Sequence, residues 1–141
     1  MNKYFNITTP IYYPSAKPHM GHAYSSIVSD VIARFKRLDG YNVEFLTGTD
    51  EHGLKIQRAA EKRGVDPKKF CDEISKTFRD LSKTLNLSNT DFIRTTEERH
   101  IKSVQNLWSV LEEKDEIYLS KYSGWYSVSD EAFYSENEIK N

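Results

Sequence analysis

The sequence predicts an α/β protein built on a Rossmann-like parallel sheet, and three observations carry that prediction. Two short runs rich in aromatic and β-branched residues, Tyr4 to Thr9 and Asn42 to Gly48, read as strands. Between them Ile27, Val28, Val31, Ile32, Phe35 and Leu38 recur at steps of one, three and four, which puts them on one face of an amphipathic helix. Strand, helix and strand within about 45 residues form a βαβ unit, which implies a parallel pair joined by a right-handed crossover.

Composition narrows the class. A chain of 141 residues suffices for one modest domain with a core, and 13% aromatic content argues for packing rather than disorder. The 20 basic and 21 acidic residues nearly cancel, so no whole-chain case for a nucleic-acid footprint exists, although a local basic patch is still allowed. The single cysteine, Cys71, excludes an intrachain disulfide and a multi-cysteine zinc site, and suits a reducing compartment. Met1 to Phe5 holds no apolar targeting core and no run is long enough to span a membrane, so a cytoplasmic location is expected.

The first strand gives way to a loop punctuated by Pro10, Pro14 and Pro18, and the loop ends in His19-Met20-Gly21-His22 at the start of the helix. Two imidazoles three residues apart in a first turn point to the same side. Helix starts present free amides and the positive end of the dipole, and Gly21 lets a ligand approach the backbone, so the tetrapeptide suits a nucleotide phosphate. Two solvated histidines, or two ligands of a metal site, are the alternatives.

Gly40 stops the helix, and the second strand runs into Gly48-Thr49-Asp50-Glu51-His52-Gly53. The Gly-x4-Gly spacing resembles a phosphate loop, but Leu54-Lys55 follows instead of Lys-Ser or Lys-Thr, so that reading fails; no Gly-x-Gly-x-x-Gly is present either. Asp50 suits an amine ligand or, alternatively, caps the helix starting near Gly53. His52 reads as satisfied by local hydrogen bonds. Ligands of open parallel sheets sit at the carboxyl ends of the strands, so the loops from Thr9 to His22 and from Gly48 to Gly53 are expected to face one crevice.

Leu54 to Arg63 predicts a short helix ended by Gly64. Asp66 as cap and Pro67 at the first position open a longer one, with Phe70, Ile74, Phe78, Leu81 and Leu85 as its core stripe. Cys71 beside that stripe reads as packing or surface. Phe92 to Arg94 is a short strand; a helix with Ile101, Val104, Leu107, Trp108 and Leu111 on one face follows. From Ile117 the character changes. Tyr118, Tyr122, Trp125, Tyr126, Phe133 and Tyr134 crowd together around Ser123-Gly124, which predicts a small β hairpin with its own aromatic core, base stacking being the other use of such rings.

The order Thr9-Pro10-Ile11-Tyr12-Tyr13-Pro14, Pro18 to His22 and Phe45 to Gly53 resembles the start of methionyl-tRNA synthetase, a class I aminoacyl-tRNA synthetase. His19 to His22 resembles that family's HIGH tetrapeptide with Met in second place, and Gly124 to Tyr134 is similar to the segment after the first catalytic half. The resemblance spans nearly the whole chain. It implies that residues 1–115 form the first half of a nucleotide-binding catalytic domain and that 116–141 begin a small β-rich inserted subdomain.

The resemblance also implies a chemistry: ATP and methionine form methionyl-adenylate, and methionine then passes to tRNA(Met), with magnesium accompanying ATP. His19 and His22 are then the catalytic residues, and together with Gly21 they bind ATP. Ile11, Tyr13 and Asp50 bind methionine, Asp50 through the α-ammonium group and Tyr13 beside the thioether. Many relatives carry Cys-x-x-Cys in the tail; Ser127 and Asp130 stand there, so no structural zinc and no metal site are expected. The family's Lys-Met-Ser-Lys-Ser loop is absent from the 141 residues, so the chain is expected to be an N-terminal piece, inactive alone. A sibling specific for leucine, isoleucine or valine and a non-catalytic nucleotide- or tRNA-binding module are the competing readings.

Overall fold

The middle strand of the sheet, β2 (Tyr41–Thr49), pairs in parallel with β1 (Lys3–Thr8) on one side and β3 (Asp91–Arg94) on the other. These elements come from a computed structural model that describes residues 3–139. The parallel register and the strand order β1-β2-β3 are those of a Rossmann-like half-sheet, as the sequence predicts. The chain divides into two compact units, one ending at Ile101 and the other starting at Lys102.

In the first unit, α1 (Met20–Leu38) crosses from β1 to β2, and α2 (Leu54–Arg63) with α3 (Pro67–Thr84) crosses from β2 to β3. Both crossovers lie on one face. Val43, Phe45, Thr47 and Thr49 alternate along β2 and are all buried, whereas Asn42 and Glu44 between them are exposed. Val43 and Phe45 pack with Ala33 of α1, and Thr49 Oγ1 meets Ser75 Oγ of α3 at 3.0 Å.

A second core forms where Tyr12, Ile56, Ala60, Phe70, Cys71, Ile74, Phe78 and Phe92 come together. Phe70, Ile74 and Phe78 of the stripe predicted for α3 are therefore core, whereas Leu81 and Leu85 are only half-buried, and the predicted start of that helix holds. Asp66 Oδ1 accepts from the amides of Lys68 and Lys69 at 2.9 and 3.1 Å, with Pro67 in the first position.

The face of α1 laid on the sheet is not its apolar stripe. The helix buries Ala23, Ser26, Asp30 and Ala33, while Val31 and Phe35 are each 60% exposed. Small residues let helix and sheet approach closely, and polar bonds replace apolar packing. Asp30 Oδ1 accepts from Ser88 N–H and Arg34 Nε donates to Asp30 Oδ2, each at 2.6 Å. Burial works to raise the Asp30 pKa, but the bonds from Ser88 and Arg34 hold it below the usual carboxylate range.

The strand line of β1 does not stop at Thr8. Thr9 N–H donates to Leu46 O at 3.1 Å, and Tyr12 N–H to Gly48 O at 3.0 Å. Tyr12 then bridges Thr49 in parallel. From Thr8 to Tyr12 the chain uses one residue more than β2 does between the partners Leu46 and Thr49, which makes a bulge. Pro10, lacking an N–H, sits inside it. The extra residue reverses the alternation: Thr9 faces inward, and after the bulge Tyr12 does, leaving Ile11 and Tyr13 38% and 46% exposed.

Gly48 answers to a close approach rather than to a phosphate loop. A Cβ there would run into the Ile93 carbonyl oxygen and its side chain, so only glycine lets β3 lie against β2 at this point.

The helix α4 (Glu98–Glu113) carries the chain into the second unit. Its predicted apolar face is open, with Val104, Leu107 and Trp108 all exposed among the described residues. Beyond it β4 (Trp125–Ser127) and β5 (Ala132–Tyr134) form an antiparallel hairpin, as predicted. Phe133 meets the rings of Tyr122 and Tyr126 edge-on at 5.2 and 5.0 Å, but all three rings are exposed, so the predicted aromatic core is a surface cluster of three among the described residues. In the turn Ser127 Oγ donates to Asp130 Oδ2 at 2.6 Å.

Candidate active site

His19 ends the loop in extended conformation and caps α1. Its Nδ1 accepts from Gly21 N–H at 3.1 Å, while its own N–H donates to His22 Nδ1, also at 3.1 Å. Two imidazoles thus perform the reciprocal bonding usually done by a hydroxyl and a glutamate. The rings lie 3.8 Å apart.

This geometry alters the expected donor set. The amides at the helix start are not bare: Gly21 donates to His19 Nδ1, and His22 N–H to His19 O at 3.0 Å. In exchange, both Nδ1 atoms are acceptors, so each neutral ring carries its proton on Nε2. The side-chain donors these rings present are the two Nε2–H groups. Gly21 serves the cap itself, because a Cβ there would stand 2.9 Å from His19 Cε1 and push the ring off its cap.

The His22 ring is fixed by aromatic neighbours. Tyr12 lies 4.7 Å away and Phe78 of α3 5.1 Å away, both edge-on, and Tyr12 stacks on Phe78 at 5.7 Å. Tyr12 Oη meets Ser26 Oγ at 3.0 Å. Burial, and then the charge of His19, lower the His22 pKa from its ordinary value. A proton on Nδ1 would also turn the capping bond from His19 N–H into a clash of two donors.

Asp50 stands at the carboxyl end of β2, and its N–H donates to Tyr12 O at 2.9 Å. Tyr12 therefore touches both walls, Asp50 through its backbone and His22 through its ring. The two loops do leave one end of the sheet. Gly53, not Asp50, occupies the N-cap of α2, and no side chain caps that helix. Among the described residues the Asp50 carboxylate has no hydrogen-bond or ion-pair partner and is half-buried. Tyr13 follows Tyr12 on the exposed side, with Lys55 Nζ 6.0 Å from its ring centre. His52 Nε2 meets Thr95 O at 3.4 Å, the local satisfaction expected of it.

Next to Asp50 lies a network that sequence reasoning missed. Glu51 is 4% exposed, and Arg94 Nε and Nη2 donate to its Oε1 and Oε2 at 2.6 and 2.9 Å. Thr49 and Thr96 hydroxyls donate to the same carboxylate at 2.8 and 2.5 Å, and Glu51 N–H donates to Thr95 Oγ1 at 2.8 Å. Burial works to raise the Glu51 pKa, but the bonds from Arg94, Thr96 and Thr49 and the Arg94 charge hold it below the usual range. The Arg94 pKa is raised in turn, chiefly by its bond to Glu51. Tyr12, holding Asp50 N–H, and Thr95, holding the next amide, clamp the Asp50 backbone from the segments that follow β1 and β3. The adjacent acid Asp50-Glu51 and the cation in Phe92-Ile93-Arg94 are visible in the sequence, but nothing in their spacing links them.

Cys71 is buried, with Sγ 3.8 Å from Glu51 O. Burial and the Glu51 charge push its pKa up to about 11, so it is a thiol at neutral pH and part of the packing. Among the described residues no group of three or more His, Cys, Asp and Glu side chains is placed to hold a metal ion.

The family model described as tRNA synthetases class I (M) matches residues 5–141. The chain belongs to that family. A methionine–tRNA ligase of Halalkalibacterium halodurans is 57% identical over 137 residues, covering 97% of this chain and 21% of the relative. One of Rickettsia bellii is 56% identical over 139 residues, covering 99% and 27%. Among solved structures, a methionyl-tRNA synthetase of Mycobacterium tuberculosis bound by methionyl-adenylate superposes with TM-score 0.92 at 49% identity, over 98% of this chain and 27% of that one. A LeuRS–tRNA–LeuAMS complex of Agrobacterium radiobacter, at 24% identity and TM-score 0.76, shares the fold. This synthetase segment thus spans about a fifth to a quarter of the length of the relatives it matches. Among the described residues, no helix is long and apolar enough to cross a membrane.

Proposed function

We propose that this segment forms the ATP and methionine walls of a methionine–tRNA ligase, which activates methionine as its adenylate and passes it to tRNA(Met). The observation that carries the reading is Tyr12, which holds the Asp50 amide on one side and the His22 ring on the other. An acid with no partner of its own and an imidazole pair are thereby both attached to one residue at the carboxyl end of the sheet.

In the reaction proposed, the methionine carboxylate attacks the α-phosphorus of ATP and pyrophosphate leaves. No protein nucleophile is needed, and the work is orientation and charge stabilisation. Asp50 pairs with the α-ammonium group, Tyr13 lies along the side chain near the thioether, and Ile11 contributes a backbone contact. The Nε2–H groups of His19 and His22 donate to phosphate oxygens as charge builds there, and Gly21 gives the nucleotide room. Magnesium enters with the nucleotide, its ligands being phosphate oxygens and water. Residues 116–141 begin an inserted subdomain, Ser127 and Asp130 leave it without zinc, and the setting is cytoplasmic.

Identity above 50% to methionine–tRNA ligases supports methionine over leucine, isoleucine or valine as substrate. The test is amino-acid-dependent exchange of pyrophosphate into ATP, catalysed by a longer protein that carries this sequence. Methionine is expected to drive exchange, and leucine, isoleucine and valine are not. The 141 residues alone are expected to give none. Exchange driven by leucine but not methionine would refute the substrate, and methionine-dependent exchange by the 141 residues would refute the dependence on a second half.

A further inference from the structure

The helix α2 carries its cations on one face. Lys55, Arg58 and Lys62 are spaced by three and four, and with Arg63, Ser15 and Phe70 they line a cleft of about 500 Å³ that no acidic side chain lines. The helix's acid, Glu61, does not line this cleft and accepts from Gln57 Nε2 at 3.0 Å. The macrodipole accounts for Lys62 and Arg63, which stand in the last turn, but not for Lys55. The macrodipole favours acids in the first turn, yet the first turn of α2 has none and contains Lys55. Arg63 is engaged, its Nη2 2.9 Å from Glu73 Oε2 and its guanidinium over the Phe70 ring. Arg58 and Lys62 are exposed and have no ion-pair partner among the described residues.

The cleft begins at the methionine wall. Ser15 lines it two residues beyond Tyr13, and Lys55 faces the Tyr13 ring at 6.0 Å. From Lys55 to Lys62 the face runs about 10 Å along the helix. A polyanion whose end must reach methionine finds a positive track leading away from Tyr13. We propose that this face binds the sugar–phosphate backbone of the strand that carries the tRNA 3′ end, with Arg58 and Lys62 meeting its phosphates. The proposal rests on the methionine–tRNA ligase reading. The overall charge is near neutral, so the positive potential here is local to this face.

The experiment uses the longer protein with Arg58→Gln and Lys62→Gln combined, and separately with Arg58→Glu and Lys62→Glu. Labelled tRNA is titrated at several salt concentrations, and methionine-dependent pyrophosphate exchange is measured on the same samples. The neutral pair is expected to weaken tRNA binding roughly tenfold, and to reduce the slope of log affinity against log salt by about 1.4, about 0.7 for each charge removed from a single-strand contact. The reversed pair goes further, and exchange without tRNA is unchanged in both. Unaltered tRNA affinity and salt slope in both variants would overturn the proposal. So would loss of exchange in step with binding, which would assign the face to pyrophosphate or to folding. Absence of methionine exchange in the unmutated protein would sink the ligase reading instead, whatever the tRNA titrations give.

Discussion

The Asp50 amide donates to the Tyr12 carbonyl at 2.9 Å, and the Tyr12 ring lies 4.7 Å from that of His22. One residue, placed by a one-residue bulge at Pro10, therefore sets the spacing between an acid and an imidazole pair. Truncating it should matter more than its lack of chemistry suggests. Tyr12→Ala is expected to cost about 3–5 kcal/mol, as large-to-small changes in aromatic cores do. Tyr12→Phe, which loses the bond to Ser26 and the longer one to His22 O, should cost about 1 kcal/mol. Urea unfolding midpoints of the two variants check this; equal, small losses would mean that Tyr12 is not a support.

The Glu51–Arg94 pair makes a sharper prediction. Removing one partner leaves a buried charge alone, so Arg94→Ala should destabilise by about 3–5 kcal/mol. Adding Glu51→Gln to it should restore part of that loss, because the orphaned charge goes with it. A double-mutant cycle read by chemical denaturation checks the coupling, and simple additivity of the two losses would contradict it.

Gly48→Ala is expected to be among the most damaging small substitutions in the first unit, because the added methyl meets the Ile93 backbone and not a yielding side chain. A loss of about 2–4 kcal/mol, or failure to fold, fits an overpacked strand pair. Gly40→Ala, where the left-handed φ of 80° is strained but nothing is struck, should cost about 1 kcal/mol. Comparing the two melting temperatures separates collision from conformational strain.

Protonation of the imidazole cap gives a pH signature. The His22 pKa is lowered on folding, so the neutral form belongs to the folded state. Between its folded value and its unfolded value of about 6.5 the unfolded chain binds the extra proton. Its stability contribution is full above about 6.5 and falls as the pH drops through the folded value. Nitrogen chemical shifts of His22 should report protonated Nε2 and bare Nδ1 at neutral pH, with titration below 6.5. A protonated Nδ1 at neutral pH would contradict the cap. Glu51 adds a second loss at lower pH: its pKa is lowered on folding, so its contribution is present above the ordinary carboxylate range and disappears as the pH falls through the folded value.

The elements were legible because each carries a local cause. Strand composition, the Asp66-Pro67 start and the Phe70–Ile74–Phe78 spacing all act within a few residues, and the parallel sheet follows from their order. The imidazole pair and Asp50 were legible as candidates for the same reason. What escaped depends on contacts distant in sequence. Glu51 and Arg94 meet across 43 positions. Tyr12 and Tyr13 look alike in the sequence, and only the bulge decides which is buried. The apolar stripe of α1 was read correctly as a stripe, but periodicity says nothing about its cover, and the sheet took the small, polar face instead. Of the amides expected to be free at the start of α1, those of His19, Gly21 and His22 are taken up by the histidine cap, which local periodicity does not reveal.

The central claim is that one crevice holds an ammonium group at Asp50 and a phosphate at His19 and His22 together. A crystal structure of the longer protein with a non-hydrolysable methionyl-adenylate analogue tests it directly. The ammonium nitrogen is predicted to lie about 3 Å from an Asp50 carboxylate oxygen, with a phosphate oxygen at about the same distance from at least one histidine Nε2. An analogue whose ammonium group is paired elsewhere, or whose phosphate lies beyond reach of both rings, would contradict the account.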